Sequence, residues 1–141
     1  MRNIRDLLKA KDGKLWISSV LGGDAGIASY NPITETFTNY NANLNDSTKI
    51  PYSNNSLLFE DVLNNIWFSS FSIENYSSER FLCKIDQKTQ KVSRYPYMVN
   101  RKSNDVVLNF QIAESKKDSS VWLRTEDNSI LRYDRTKDTF E

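Results

Sequence analysis

The chain has 141 residues, of which 38% are hydrophobic and 12% aromatic, enough apolar surface for a core, so wholesale disorder is excluded. Lys plus Arg number 19 and Asp plus Glu 18, a net charge of +1 that leaves no basic excess to attract nucleic acid. No histidine is present, which removes the commonest general base and metal ligand and the phosphoacceptor of a histidine kinase; the single cysteine, Cys83, excludes an intrachain disulfide and a Cys cluster for zinc or iron–sulfur.

The predicted elements, taken from the N-terminus, are short strands. Met1-Arg2-Asn3-Ile4-Arg5-Asp6 lacks the apolar run of a signal peptide, and no stretch approaches the roughly 18 apolar residues of a membrane span. Ile4, Leu7 and Leu8 have helix-like spacing, but equivalent segments before the later tryptophans favour a strand over 4–10. The lysines at 9–11 and 116–117 read as solvated turns. Lys11-Asp12-Gly13-Lys14-Leu15-Trp16-Ile17-Ser18-Ser19 then runs from a polar turn into an apolar-Trp-apolar strand that ends in small hydroxyl residues. The frame recurs as Asp61-Val62-Leu63-Asn64-Asn65-Ile66-Trp67-Phe68-Ser69-Ser70 and as Asp118-Ser119-Ser120-Val121-Trp122-Leu123-Arg124-Thr125.

A second frame follows each Trp. It begins Tyr30-Asn31, Ile85-Asp86 and Tyr133-Asp134, and an apolar residue stands seven positions after the first, at Phe37, Val92 and Phe140. Fixed spacing within frames and variable spacing between them is the pattern of rigid strands joined by variable loops. Alternation and turn punctuation give each unit four strands: A (4–10, 57–60, 106–114), B around the Trp, C (26–30, 80–85, 129–133) and D (36–40, 91–95, 139–141). Four antiparallel strands per roughly 40–55 residues is the repeat of a β-propeller blade. The predicted fold is therefore all-β: a propeller fragment of three four-stranded antiparallel blades whose ring does not close within the chain. Blade 1 is placed at 1–40, crossover and blade 2 at 41–95, and crossover and blade 3 at 96–141. Trp16, Trp67, Trp122, Tyr30, Ile85 and Tyr133 are predicted to be the structural repeat core, and Cys83, in the alternation Phe81, Cys83, Ile85, a small buried hydrophobe.

These frames resemble the two-component regulator propeller repeat. The resemblance rests on Asp12, Gly13, Leu15-Trp16-Ile17, Gly26-Ile27, Tyr30-Asn31, Thr34, Phe37 and Tyr40 in the first unit. In the second it rests on Glu60-Asp61, Asn65-Ile66-Trp67, Ile85-Asp86, Thr89 and Tyr95, and in the third on Val121-Trp122, Thr125, Leu131-Arg132-Tyr133-Asp134 and Phe140. It implies the extracytoplasmic, periplasmic sensor portion of a hybrid two-component system, with an oligosaccharide as ligand. The family's signal peptide, second β-domain, membrane helix, kinase and receiver have no counterpart in these residues. The resemblance thus predicts a ligand-sensing segment without catalysis of its own. The alternative is a protein-interaction propeller scaffold, or a truncated reading-frame fragment that self-associates. Expected partners are an oligosaccharide and either the remaining blades or a second copy through open blade faces, with no nucleic acid and no membrane insertion.

In an antiparallel meander the A–B and C–D turns share one end of a blade, and the B–C loops and crossovers share the other. The second set is longer and more variable (20–25, 71–79, 41–56, 96–105), so the ligand site is predicted there. Tyr52, Tyr76 and Tyr97 are candidates to stack on sugar rings or, alternatively, to pack the loops; Asp24, Glu74, Asn75, Arg101 and Asp127 are candidates to bond hydroxyls. No cofactor, metal or catalytic set is predicted. Gly22-Gly23-Asp24-Ala25-Gly26 lacks the lysine and following helix of a phosphate cradle. The adjacent acids Glu60-Asp61 and Glu126-Asp127 would point to opposite faces of a strand.

Overall fold

Polar turns between alternating apolar segments close twelve strands among the described residues. A computed structural model of the chain describes residues 3–20, 26–72, 79–98, 111–125 and 128–141. Blade 1 comprises β1 (Asn3–Lys9), β2 (Leu15–Val20), β3 (Ile27–Asn31) and β4 (Thr36–Tyr40). Blade 2 comprises β5 (Asn54–Glu60), β6 (Asn65–Phe71), β7 (Glu79–Asp86) and β8 (Val92–Met98). Blade 3 comprises β9 (Gln111–Glu114), β10 (Val121–Arg124), β11 (Ile130–Asp134) and β12 (Thr139–Phe140). Each set is one four-stranded antiparallel meander in chain order, with no closed barrel among the described residues. Most bounds fall within a residue or two of the predicted ones. The fifth strand starts earlier, at Asn54, the eighth runs on to Met98, and residues 106–110 of the predicted ninth lie outside the described residues.

Both recurring frames have local causes. Tyr30, Ile85 and Tyr133 pair directly across the sheet with Phe37, Val92 and Phe140, so the seven-residue spacing is a cross-strand pair. The Asn or Asp that follows caps the C–D turn: Asn31 Oδ1 accepts from Ile33 N at 2.9 Å, Asp86 Oδ1 from Lys88 N at 2.8 Å and Asp134 Oδ1 from Thr136 N at 2.8 Å. These backbone bonds hold the Asp86 and Asp134 carboxyls below their usual range. Each C–D turn then passes through a left-handed residue, Glu35, Gln90 or Asp138; each A–B turn does the same at Gly13, Asn64 or Ser119.

The helix-like spacing at Ile4 and Leu7 comes from a bulge. One extra residue between Ile4 and Asp6 resets the alternation, so Ile4, opposite Ser19, and Leu7, opposite Ile17, share a face. A bulge recurs between Ser56 and Phe59, with Leu57 at φ 60°. There Leu58 N donates to Asp6 Oδ2 of blade 1 at 2.9 Å.

The apolar core lies between blades. Trp16 and Ile27 of blade 1 meet Ile66, Phe68, Phe81, Cys83, Ile85 and Val92 of blade 2; Trp67 and Leu82 of blade 2 meet Val121, Leu123 and Tyr133 of blade 3. Each buried Trp therefore faces the blade that follows, and Ile85 and Tyr133 face the blade before. Trp16, Trp67, Ile85 and Tyr133 are buried. Trp122 departs from its prediction as core and is 40% exposed, because no described element covers the following side of blade 3. Tyr30 is half-buried for the mirror reason. Cys83 is fully buried, and burial pushes its thiol pKa up, away from reactivity.

Candidate functional site

The turn end of the blades is a set of repeated polar locks. In the last residue of strand A, Glu60 Oε2 accepts the backbone N–H of Lys11 at 2.8 Å, from the preceding blade's turn. Glu114 Oε2 accepts Val62 N in the same way at 2.9 Å. Gln87, just after the C-strand Asp86, donates to Glu60 Oε1 at 3.2 Å and accepts from Trp16 Nε1 at 3.2 Å. Its counterpart Arg135 bonds Glu114 at 2.9 Å and Asp61 at 3.2 Å. Asp61 is wholly buried and also accepts Trp67 Nε1 at 3.0 Å. Burial alone would raise its pKa; the bonds from Asn65, Trp67 and Arg135 outweigh burial and lower it. Glu60 and Asp61 are therefore engaged as structural acceptors.

A second lock lies toward the outer strands. Tyr40 donates to Gln90, and Tyr95 donates to Asp138 Oδ1 at 2.5 Å. Lys84, opposite Trp67 in the sheet, lies 5.5 Å from the Trp67 ring centroid and reaches Tyr133 Oη at 2.6 Å and Asp138 Oδ1 at 2.7 Å. Burial opposes ionisation of Asp138, yet the bonds from Lys84, Tyr133 and Tyr95 carry its pKa down to about 2.

The loop end is where the ligand site was predicted. Tyr52 is half-buried there, its ring 5.9 Å from that of Phe81, and packs against the blade 1–blade 2 core. Tyr97 pairs through its backbone with Arg80, and its side chain is outside what is described. Asp24, Glu74, Asn75, Tyr76, Arg101 and Asp127 lie outside the described residues. The described wall of this end holds groups that were not predicted. Ser18 and Asn55 are fully buried in the seam, and Ser18 Oγ and Asn55 Oδ1 have no hydrogen-bond partner among the described residues. Arg80 is buried with its guanidinium 5.2 Å from the Phe71 ring centroid and donates to Ser72 O at 3.3 Å. The hydroxyl residues after each Trp were the available signal, since Ser18, Ser69 and Ser70 all come from that frame and all are buried. The crossover is pinned nearby: Ile50 is wholly buried, and Arg94 donates to the carbonyls of Lys49 at 2.7 Å and Leu44 at 2.9 Å.

No protein-family model matches the chain, and no curated protein matches it. Among solved structures, it is similar to the extracellular domain of the putative one component system BT4673 from B. thetaiotaomicron, at 18% identity and a TM-score of 0.55, covering 98% of this chain and 15% of that one. A second solved chain, the extracellular domain of the putative hybrid two component system BT4673 from B. thetaiotaomicron, is 16% identical with a TM-score of 0.41, covering 99% of this chain and 23% of that one. The chain thus spans a small part of the length of the extracellular domains it resembles, and the first likeness shows a shared fold: blades stacked side by side.

Proposed function

We propose that this chain is a ligand-sensing propeller segment of an extracytoplasmic two-component sensor, that its ligand is an oligosaccharide, and that it performs no chemistry itself. The observation that carries this reading is the loop end of the blade 1–blade 2 seam. There, buried Ser18 and Asn55 present oxygens without a partner among the described residues; Asn55 also donates to Tyr52 O at 3.1 Å, and the Tyr52 ring lies 5.9 Å from that of Phe81. Flat apolar rings mixed with fixed hydroxyl and amide groups suit a polyhydroxylated ring. The likeness in fold to an extracellular domain supports the sensing role and the compartment. The acids Glu60, Asp61 and Glu114 hold blade seams together, which supports a binding segment over a catalytic one. Asp24, Glu74, Asn75, Tyr76, Tyr97, Arg101 and Asp127 are proposed to complete the site.

The test is thermal unfolding of the full chain against a panel of oligosaccharides. A ligand at about 100 times its Kd adds about 2.7 kcal/mol to the folded state and raises Tm. Tyr76→Ala and Arg101→Ala are expected to abolish that rise while leaving the ligand-free Tm unchanged. A panel without any shift sinks the oligosaccharide assignment.

A further inference from the structure

We propose that residues 42–52, the crossover from blade 1 to blade 2, form a strap latched by Arg94, and that the strap opens as a unit to admit ligand to Ser18 and Asn55. The inference deepens the ligand-binding reading above and rests on it for what enters; the opening itself is measured without a ligand. It starts from a physical conflict. Ser18 Oγ and Asn55 Oδ1 have no hydrogen-bond partner among the described residues, yet both residues are 0% exposed. A solute cannot touch them while the seam is closed. A buried polar oxygen left unpaired is costly, so a cover that moves aside relieves the cost by letting a ligand hydroxyl pair with it.

Both oxygens belong to one seam. Ser18 lies two residues beyond Trp16 on the same face of β2, and Asn55 stands opposite Ser70, two residues beyond Phe68 on β6; Trp16 and Phe68 share one core. The strap crosses that seam at their level. On the blade 1 side, a Cβ at Gly26 would meet Ile50 Cδ1 at 3.9 Å, and Ile27, next in the chain, pairs with Ser18. On the blade 2 side, Asn55 Nδ2 donates to Tyr52 O at 3.1 Å, and Ser70 Oγ accepts Tyr52 N at 3.1 Å. Ile50 therefore sits at one bank of the seam and Tyr52 at the other.

The strap is built to move as one piece. Its ends meet in a bridge between Ala42 and Ile50, where Asn43 N donates to Ile50 O at 2.9 Å. Within it, Asn43 Oδ1 accepts Asn45 N at 3.0 Å, and Asp46 Oδ1 accepts Thr48 N at 2.9 Å. These bonds are internal and survive a displacement of the whole segment. None of residues 41–49 is buried, and Ile50 is the first that is. A segment with so few buried apolar contacts opens before the sheets do. Against this, Arg94 of β8 is the latch. Its Nε donates to Lys49 O at 2.7 Å, its Nη1 to Leu44 O at 2.9 Å, and its Nη2 to Asn43 O at 2.6 Å and to Asp46 O. Four carbonyls thus converge on one guanidinium, whose planar fork carries five N–H donors; a lysine ammonium carries three.

The experiment follows a thiol at position 18. Ser18→Cys in a Cys83→Ala chain places a single thiol there, and its reaction with iodoacetamide is timed at several urea concentrations below unfolding, with and without Arg94→Ala. Urea unfolding curves show that each chain folds. Arg94→Ala is expected to speed labelling by roughly tenfold or more, through the loss of charge-assisted hydrogen bonds. The rate should stay flat in low urea, as a local opening does. Arg94→Lys is expected to act in the same direction and carries the test if Arg94→Ala does not fold. Hydrogen exchange across 42–52, in chains that keep Ser18 and Cys83, should rise in parallel. Labelling or exchange that ignores both Arg94 substitutions overturns the proposal. So does labelling that climbs with urea along the global unfolding curve in every chain, since position 18 is then reached only by unfolding. The two readings fail separately: iodoacetamide tests the strap, and the oligosaccharide panel tests what enters.

Discussion

Asp61 and Asp138 carry the heaviest polar traffic between blades. Asp61 is reached by its own turn, by Trp67 and by Arg135 of the next blade; Asp138 is reached by Lys84 and Tyr95 of the preceding blade and by Tyr133 of its own. Both carboxyls are held below their ordinary value of 3.8, Asp138 at about 2. A carboxyl whose folded pKa is depressed contributes stability that is fully present above its unfolded pKa and lost as pH falls toward the folded one. Tm is therefore expected to hold from neutral pH to about 4 and then drop steeply toward pH 2. Asp138→Asn should lower Tm at pH 7 and make the drop between pH 5 and pH 2 shallower than in wild type. Calorimetry across that range checks both, and equal slopes would contradict the assignment. The Asn and Asp caps of the C–D turns were legible in the sequence because their bonds reach two or three residues along the chain. The roles of Asp61 and Asp138 were not, because their partners lie in other blades.

At the scale of the element, the turns explain why the repeat tolerates different residues. The left-handed position of the A–B turn holds glycine in blade 1, asparagine in blade 2 and serine in blade 3. A glycine adopts that conformation freely, whereas another L-residue is disfavoured by about 1–2 kcal/mol. Ser119→Gly is expected to stabilise the chain by about 0.5–1 kcal/mol, after allowing for the greater freedom of glycine in the unfolded state. A Cβ at Gly13 would meet nothing within 4 Å, so Gly13→Val should destabilise by backbone strain alone, about 1–2 kcal/mol. Urea unfolding of both variants measures the pair, and a destabilising Ser119→Gly would contradict this account of the turn. The bulges in β1 and β5 show the opposite case. Ile4, Leu7 and Leu8 have helix-like spacing only because an inserted residue shifts the alternation, and the pairing register reveals it.

At the scale of the whole molecule, stability sits in the seams, and equivalent residues differ in energetic weight by position. Trp67 is wholly buried between blades 2 and 3, so Trp67→Ala is expected to cost about 3–5 kcal/mol. Trp122→Ala, at the uncovered end, should cost less than about 1 kcal/mol in the monomer. Equilibrium unfolding at low concentration separates them, and equal losses would place Trp122 in a core it does not enter here. The sequence by itself determined the all-β class, the three units, the strand count and the turn ends, because alternation, Asx caps and seven-residue cross-strand pairs all act within a few residues of one another. Only the tertiary structure decided which way each Trp faces, that Tyr52 packs into a seam, and that Ser18, Asn55 and Arg80 line the loop end. Only it decided, too, that Glu60, Glu114, Lys84 and Asp138 are interblade locks. Those contacts join residues 49 to 54 positions apart. Which charged residues meet across such a distance depends on how two separately folded sheets stack, and neither sheet's local pattern encodes that.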